Sequence, residues 1–263
     1  IVELVKILET VSIRGKGLEN CWRRIADLFL RFTRLTAEFP ENQVHWFEVQ
    51  EGGFSIHHTP MYIGDFFQKV ITEHKKAWIF TSATLSVNGD FSHFEFYLGL
   101  HNARKLYLQS PFDYQKQALM YIPQLQTAPN DEFYNQKILE LAVPLLKLTQ
   151  GRTFFLFTSH RALKEAALLL RERVDYPLLV QGEAPKTQLL ERFCALEDAV
   201  LLGTSSFWEG VDIKGNHLCC VIIDKIPFMV PDDPVLKSRI DFYRRQGKNP
   251  FLEYQLPHAV IAM

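Results

Sequence analysis

The period of the apolar positions changes along the chain. Leu4, Ile7 and Leu8 fall at helical spacing until Gly15-Lys16-Gly17 interrupts them. From about Leu18 a second stripe follows, Trp22, Ile25, Leu28, Phe29 and Phe32, so two helices are predicted over residues 1 to about 38. Pro40 to Gln43 is predicted as a turn. The period then drops towards two. "VHWFEVQ" and "FSIHHT" flank Glu51-Gly52-Gly53, which predicts a hairpin with His57 and His58 in its second strand. A further helix is predicted from about Ile63 to His74.

From residue 77 onward, continuous apolar runs alternate with helical segments. "AWIF" (77–80), "TFFLF" (153–157), "PLLV" (177–180), "AVLL" (199–202) and "CCVII" (219–223) read as strands. Helical patterns lie at about 132–149, 160–174 and 186–196, and Gln150-Gly151 makes a helix stop. Unbroken apolar runs separated by helices predict a parallel sheet covered on both faces, an α/β fold.

Ligands of such sheets sit outside the carboxyl ends of the strands, and three strand ends carry the same polar switch. "AWIF" runs into "TSATL", "TFFLF" into "TSHRAL" and "AVLL" into "GTSSFWEGVD". Small hydroxyl residues and free backbone N–H groups there can hold phosphate oxygens. A Thr-Ser pair is equally at home in a helix cap or turn. Three such pairs, one followed by Glu209-Gly210-Val211-Asp212, favour a phosphate-bearing ligand. Trp208 fits either a base-stacking ring or a lid on the core.

Composition narrows the class. With 263 residues, 47% of them apolar and 22% charged, the chain is expected to fold into one large or two smaller soluble domains. A net charge of -1 gives no global basic field, so nucleic acid would need a local groove. No apolar run reaches the roughly 18 residues of a membrane span. "IVELVKILET" has acids inside its apolar run and no cleavage site, so no signal peptide is expected and the location is cytoplasmic. Cys21, Cys194, Cys219 and Cys220 form no C-x-x-C pair and are expected as buried free thiols, with no metal site.

"FTSATL", "FLFTSHRAL" and "LLGTSSFWEGVDIKG…VIIDKIPF" resemble motifs III, IV and V of superfamily 2 DNA helicases, and the closest group is the XPD/DinG class. "TSATLSVNGDFSHFEFYLGL", "GTSSFWEGVDIKG", "IPFMVPDDP" and "LPHAVIA" are most similar to its bacterial YoaA branch. The resemblance covers most of residues 77–263. It implies a RecA-like parallel sheet with flanking helices, preceded by a helical arch remnant and a β-hairpin. Residues 1–76 would be the end of the arch and the return into the first motor domain. Residues 77–104 would be the motif III strand and crossover, and 105–263 the second RecA-like motor domain, truncated before motif VI.

The resemblance also implies an ATP-dependent 5′ to 3′ DNA helicase acting in repair or replication, with ATP and Mg²⁺ bound between two motor domains. Ser82, Ala83 and Thr84 would couple nucleotide state to DNA grip. Thr158, Ser159, Arg161, Gly203, Thr204 and Ser205 would contact single-stranded DNA, and Glu209, Gly210 and Asp212 would face the nucleotide. Candidate partners are single-stranded DNA and the chi subunit of DNA polymerase III.

The departures are specific. No G-x-x-x-x-G-K-[ST] occurs, and "RGKG" and "QGKN" lack the final hydroxyl residue. No Asp-Glu-Ala-His box is present, and Asp224 is followed by Lys225, so "CCVIIDK" reads as a plain sheet strand. The ligands of the family's 4Fe–4S cluster are absent. No catalytic set is therefore complete, and the chain alone is expected to be inactive. The alternative is a non-catalytic RecA-like module that binds nucleic acid or a partner protein. A Rossmann-type enzyme has little support, because no G-x-G-x-x-G follows a strand.

Overall fold

The computed structural model describes residues 1–36, 43–74 and 76–263. The turn expected at Pro40–Gln43 lies, except for Gln43, outside the described residues. Two compact units are formed: Ile1–Lys105 with Val230–Pro250, and Leu106–Met229 with Phe251–Met263.

The first unit opens with helices α1 (Val2–Ser12) and α2 (Lys16–Thr36), which pack on each other. A hairpin follows, β1 (Gln43–Gln50) and β2 (Gly53–Pro60), antiparallel in register from Gln43↔Pro60 to Gln50↔Gly53. It is followed by α3 (Gly64–Glu73) and α4 (Ser92–Leu98). Ala77–Phe80, expected as a strand, joins no ladder. A strand needs a backbone partner, and no described strand pairs with it.

The second unit carries the short helix α5 (Tyr114–Gln117), then α6 (Tyr134–Leu148), β3 (Thr153–Leu156), α7 (His160–Arg171), β4 (Leu178–Val180), α8 (Lys186–Ala195), β5 (Val200–Gly203) and β6 (Cys220–Ile223). All strand pairs are parallel, in the order β4-β5-β3-β6. The expected RecA-like sheet is present. Successive side chains point to opposite faces, and helices cover both. Phe155, Phe157, Val180, Val200 and Leu202 pack with Leu139, Leu146, Leu163 and Leu170 of α6 and α7. On the other face Phe154, Leu156, Leu179 and Leu201 meet Leu189 and Phe193 of α8 and, from the loop after β5, Phe207.

Helix α9 (Pro234–Arg245) returns the chain to the first unit and packs on β1. The Asp233 carboxylate caps it, accepting from the Leu236 N–H at 2.7 Å. A π-helical turn, Phe251–Gln255, leads into α10 (Leu256–Ala262) in the second unit and buries Tyr254.

No described helix is long and apolar enough to cross a membrane. The cysteines are free as expected, but Cys21, Cys194 and Cys219 are exposed and only Cys220 is half-buried. Cys21 and Cys194 lie on outward positions of α2 and α8, and Cys219 sits just before β6. Burial pushes the Cys220 thiol pKa up.

Candidate nucleic-acid interface

Two of the polar switches meet at one place. β3 and β5 are adjacent and parallel, with Leu156 opposite Gly203. The ladder runs one step further, from the Phe157 N–H to the Gly203 carbonyl at 2.8 Å. Thr158 and Thr204 therefore leave the sheet side by side, on strands about 4.8 Å apart.

The chain leaving β3 enters α7 on one face of the sheet and returns to β4. The chain leaving β5 crosses the other face, through Phe207, and reaches β6. The two connections depart to opposite sides, so the carboxyl ends of β3 and β5 form a topological switch point. Parallel sheets open a ligand crevice at such points.

In the first turn, Ser159 caps α7. Its hydroxyl accepts from the Ala162 N–H at 3.2 Å and keeps its own hydrogen to donate. Ser159, Arg161 and Lys164 are exposed, and Thr158 is half-buried. The Thr158 N–H points inward, to Asp224 Oδ1 at 3.0 Å.

In the second turn, Gly203 and Thr204 are buried. A Cβ on Gly203 would stand 2.8 Å from the Phe207 ring, so the close return of that ring requires glycine. The Thr204 N–H and hydroxyl both donate to Gln181 Oε1, at 2.6 and 3.0 Å. Ser205 and Ser206 are the exposed hydroxyl residues of the turn.

The Lys186 ammonium clamps the loop from below. It donates to the carbonyls of Ser206 at 2.5 Å and Glu209 at 3.1 Å, and sits 5.4 Å from the centre of the Phe207 ring. The aromatic pair splits as a result: Phe207 is core, and Trp208 packs half-buried against the same cluster. Glu209, Gly210 and Asp212 follow on an exposed loop, and Gly210 takes a left-handed φ of 67°.

Asp224 directly follows β6 and its side chain has no solvent exposure. Lys225 Nζ approaches Oδ2 at 2.9 Å as an ion pair, without the direction of a hydrogen bond. The Tyr134 hydroxyl donates to the Asp224 backbone carbonyl at 2.8 Å, and Lys225 lies over the Tyr134 ring. Burial raises the Asp224 pKa, opposed by Lys225 and by the Thr158 N–H. Burial and the Asp224 charge raise that of Tyr134.

The third switch, Ser82, Ala83 and Thr84, lies in the first unit. It is exposed and closes on itself: Ser82 Oγ and Thr84 Oγ1 are 2.9 Å apart, and the Thr84 N–H donates to Ser82 Oγ at 3.2 Å. Gln181, Lys186 and Asp224 were not singled out as site residues from the sequence. At the amino edge of the sheet a cleft of about 830 Å³ is lined by residues that include Arg152, Tyr176, Asp198 and His217.

Residues 142–263 match the helicase C-terminal domain family. The chain is 38% identical over 260 residues to the ATP-dependent DNA helicase YoaA of Haemophilus influenzae, covering 99% of this chain and 41% of that protein. To the Escherichia coli protein of the same name it is 42% identical over 250 residues, 95% of this chain and 39% of the relative. The protein named 3′-5′ exonuclease DinG of Bacillus subtilis is 31% identical over 263 residues, 94% of this chain and 27% of its own length. The chain thus spans about two fifths, or less, of the relatives it matches. With the helicase C-terminal domain at residues 142–263 and these identities along nearly its whole length, the chain belongs with the DinG-like superfamily 2 helicases, on their YoaA branch.

Proposed function

We propose that this chain is the DNA-gripping back half of an ATP-dependent 5′ to 3′ DNA helicase of the cytoplasm, acting in DNA repair or replication. Residues 1–76 are then the end of the arch and the return into the first motor domain. Residues 77–104 carry motif III and the crossover, and 105–263 form the second motor domain, of which Val230–Pro250 packs in the first compact unit. The observation that carries this reading is the pair of hydroxyl turns leaving β3 and β5 side by side at the switch point.

Single-stranded DNA would run along that edge. Ser159 and Ser205 meet its phosphates, Arg161 adds a cation, and Thr158 shapes the first turn. Gly203 and Thr204, being buried, shape the second. Glu209, Gly210 and Asp212 face the nucleotide, Asp212 towards its ribose. Ser82, Ala83 and Thr84 couple nucleotide state to grip. ATP with Mg²⁺ supplies the phosphoryl transfer in the whole enzyme, and the exposed carboxylates of Glu209 and Asp212 position the nucleotide rather than attract it. The described residues do not fit an iron–sulfur cluster, because no group of three metal-ligating side chains comes together among them. The chi subunit of DNA polymerase III stands as a candidate partner of the whole protein.

A fluorescence-anisotropy titration with labelled oligothymidylate, beside a phosphate-release assay, tests the reading. Salt-sensitive binding without ATP hydrolysis above background is expected. The phosphate-binding loop and the metal-binding box are missing, and an arginine finger alone is worth about 10³ to 10⁵ in rate. DNA-stimulated hydrolysis by the isolated chain would overturn the assignment. No binding at low salt would favour a protein-interaction module.

A further inference from the structure

One device occurs twice at the carboxyl edge of the sheet. The Asp224 N–H donates to the Leu156 carbonyl at 3.0 Å, as the next step of the β3–β6 ladder requires. A parallel ladder would continue by returning the Thr158 N–H to the Asp224 backbone carbonyl. It does not: Thr158 donates to the Asp224 side chain, and the backbone carbonyl accepts from the Tyr134 hydroxyl. At the other flank the Gln181 N–H donates to the Leu202 carbonyl at 2.9 Å, and the Thr204 N–H donates to the Gln181 side chain. In both places the residue just past a flanking strand gives its N–H to a central strand and accepts, on a side-chain oxygen, from the residue two further along. The flanking strand can then turn away while the central strand keeps one more fixed residue.

We propose that Gln181 and Asp224 are positioning residues for the two ligand-contacting turns. Each substitutes a side-chain oxygen for a ladder carbonyl, fixes the first residue of a turn, and leaves Ser159, Ser205 and Ser206 to meet phosphate oxygens. The proposal rests on the DNA reading for its ligand, but not for its geometry. The N–H groups of Thr158 and Thr204 are engaged inward, so the phosphates are held by serine hydroxyls. Two independent copies of the same geometry, one built with an amide and one with a carboxylate, argue against an accident of packing.

Amide hydrogen exchange tests the geometry, and oligonucleotide affinity tests its use. In the unsubstituted chain the Thr158 and Thr204 amides should exchange as slowly as ladder amides. Gln181→Met and Asp224→Leu approximate the side-chain shape and remove the acceptor. Gln181→Met should speed exchange at Thr204 by about ten-fold and leave Thr158 alone, and Asp224→Leu should do the converse. Gln181→Glu and Asp224→Asn keep an acceptor and should restore slow exchange. Affinity for labelled oligothymidylate should fall about five- to ten-fold in the two acceptor-free variants and recover in Asp224→Asn. Fast exchange at both threonines in the unsubstituted chain, joint loosening of both by either variant, or failure of Asp224→Asn to rescue would overturn the proposal. If the unsubstituted chain binds no oligonucleotide, the DNA reading falls, and the exchange pattern alone decides the positioning.

Discussion

Gly151 lies against the backbone of Asp198 so closely that a Cβ would stand 1.9 Å from the Asp198 carbonyl oxygen. It holds a left-handed φ of 72°, between Gln150 at 53° and Arg152 at 40°. Three consecutive left-handed residues turn the chain from α6 into β3, and only the middle one is glycine. Gly151→Ala must move the backbone just before β5, because the obstructing atom cannot rotate away. The expected cost is at least about 2 kcal/mol, since an alanine in this conformation is strained even without the clash. Urea denaturation of the two proteins measures it. A loss below a few tenths of a kcal/mol would mean that the α6–β3 turn is looser than its geometry.

Helix α7 offers a comparison within one element. Leu163 is 0% exposed and packs beneath the sheet, whereas Leu168 is 67% exposed. Leu163→Ala should cost about 2–5 kcal/mol, as a large-to-small change in a closed core does. Leu168→Ala should stay within about 0.5 kcal/mol. Equal losses in thermal or chemical denaturation would count against the face that α7 presents to the core.

What the sequence made legible follows from backbone physics. Continuous apolar runs marked β3 to β6 because a parallel strand is covered on both faces, and alternation marked the hairpin because its two faces differ. "AWIF" has the same composition, yet composition does not supply a ladder partner. Helix α9 was missed although Asp233 and Pro234, a capping acid before a first-turn proline, announce it. Its apolar positions are sparse, so its period is weak. Phe207 has polar sequence neighbours, yet Gly203 lets its ring fold back onto the α8 face of the sheet. Gln181 and Asp224 carried a signal: each is the first polar residue after an apolar run, at the same offset from a central strand. Reading it requires the strand order β4-β5-β3-β6, which no periodicity gives.

Asp224 should leave a pH signature. Burial raises its pKa in the folded chain above the ordinary carboxylate value, against the Lys225 ammonium and the Thr158 N–H. A raised acid binds its proton more tightly folded than unfolded. The resulting stabilisation is complete below the ordinary value and is lost as pH rises through the folded value. Measured against Asp224→Asn, which has no charge to desolvate, the unsubstituted protein should therefore lose stability as pH climbs above the ordinary carboxylate range. Denaturation curves for both proteins over a pH series give that difference. A gain in stability of the unsubstituted protein over Asp224→Asn as pH rises would show the Lys225 pair outweighing burial.

Arg161 tests the DNA edge most directly. It stands exposed in the first turn of α7, two residues from Ser159, and among the described residues it forms no ion pair. Arg171 ends the same helix, paired with Glu183 at 2.6 Å. If the oligonucleotide follows the carboxyl edge of the sheet, Arg161 neutralises one phosphate and releases its counterion, and Arg171 releases none. Arg161→Ala should then weaken binding at low salt and lower the log–log salt slope by about 0.7, the value for one single-strand phosphate contact. Arg171→Ala should leave both affinity and slope unchanged. Anisotropy titrations at several salt concentrations separate the two. A slope change in Arg171→Ala but not in Arg161→Ala would move the strand away from the β3–β5 switch point.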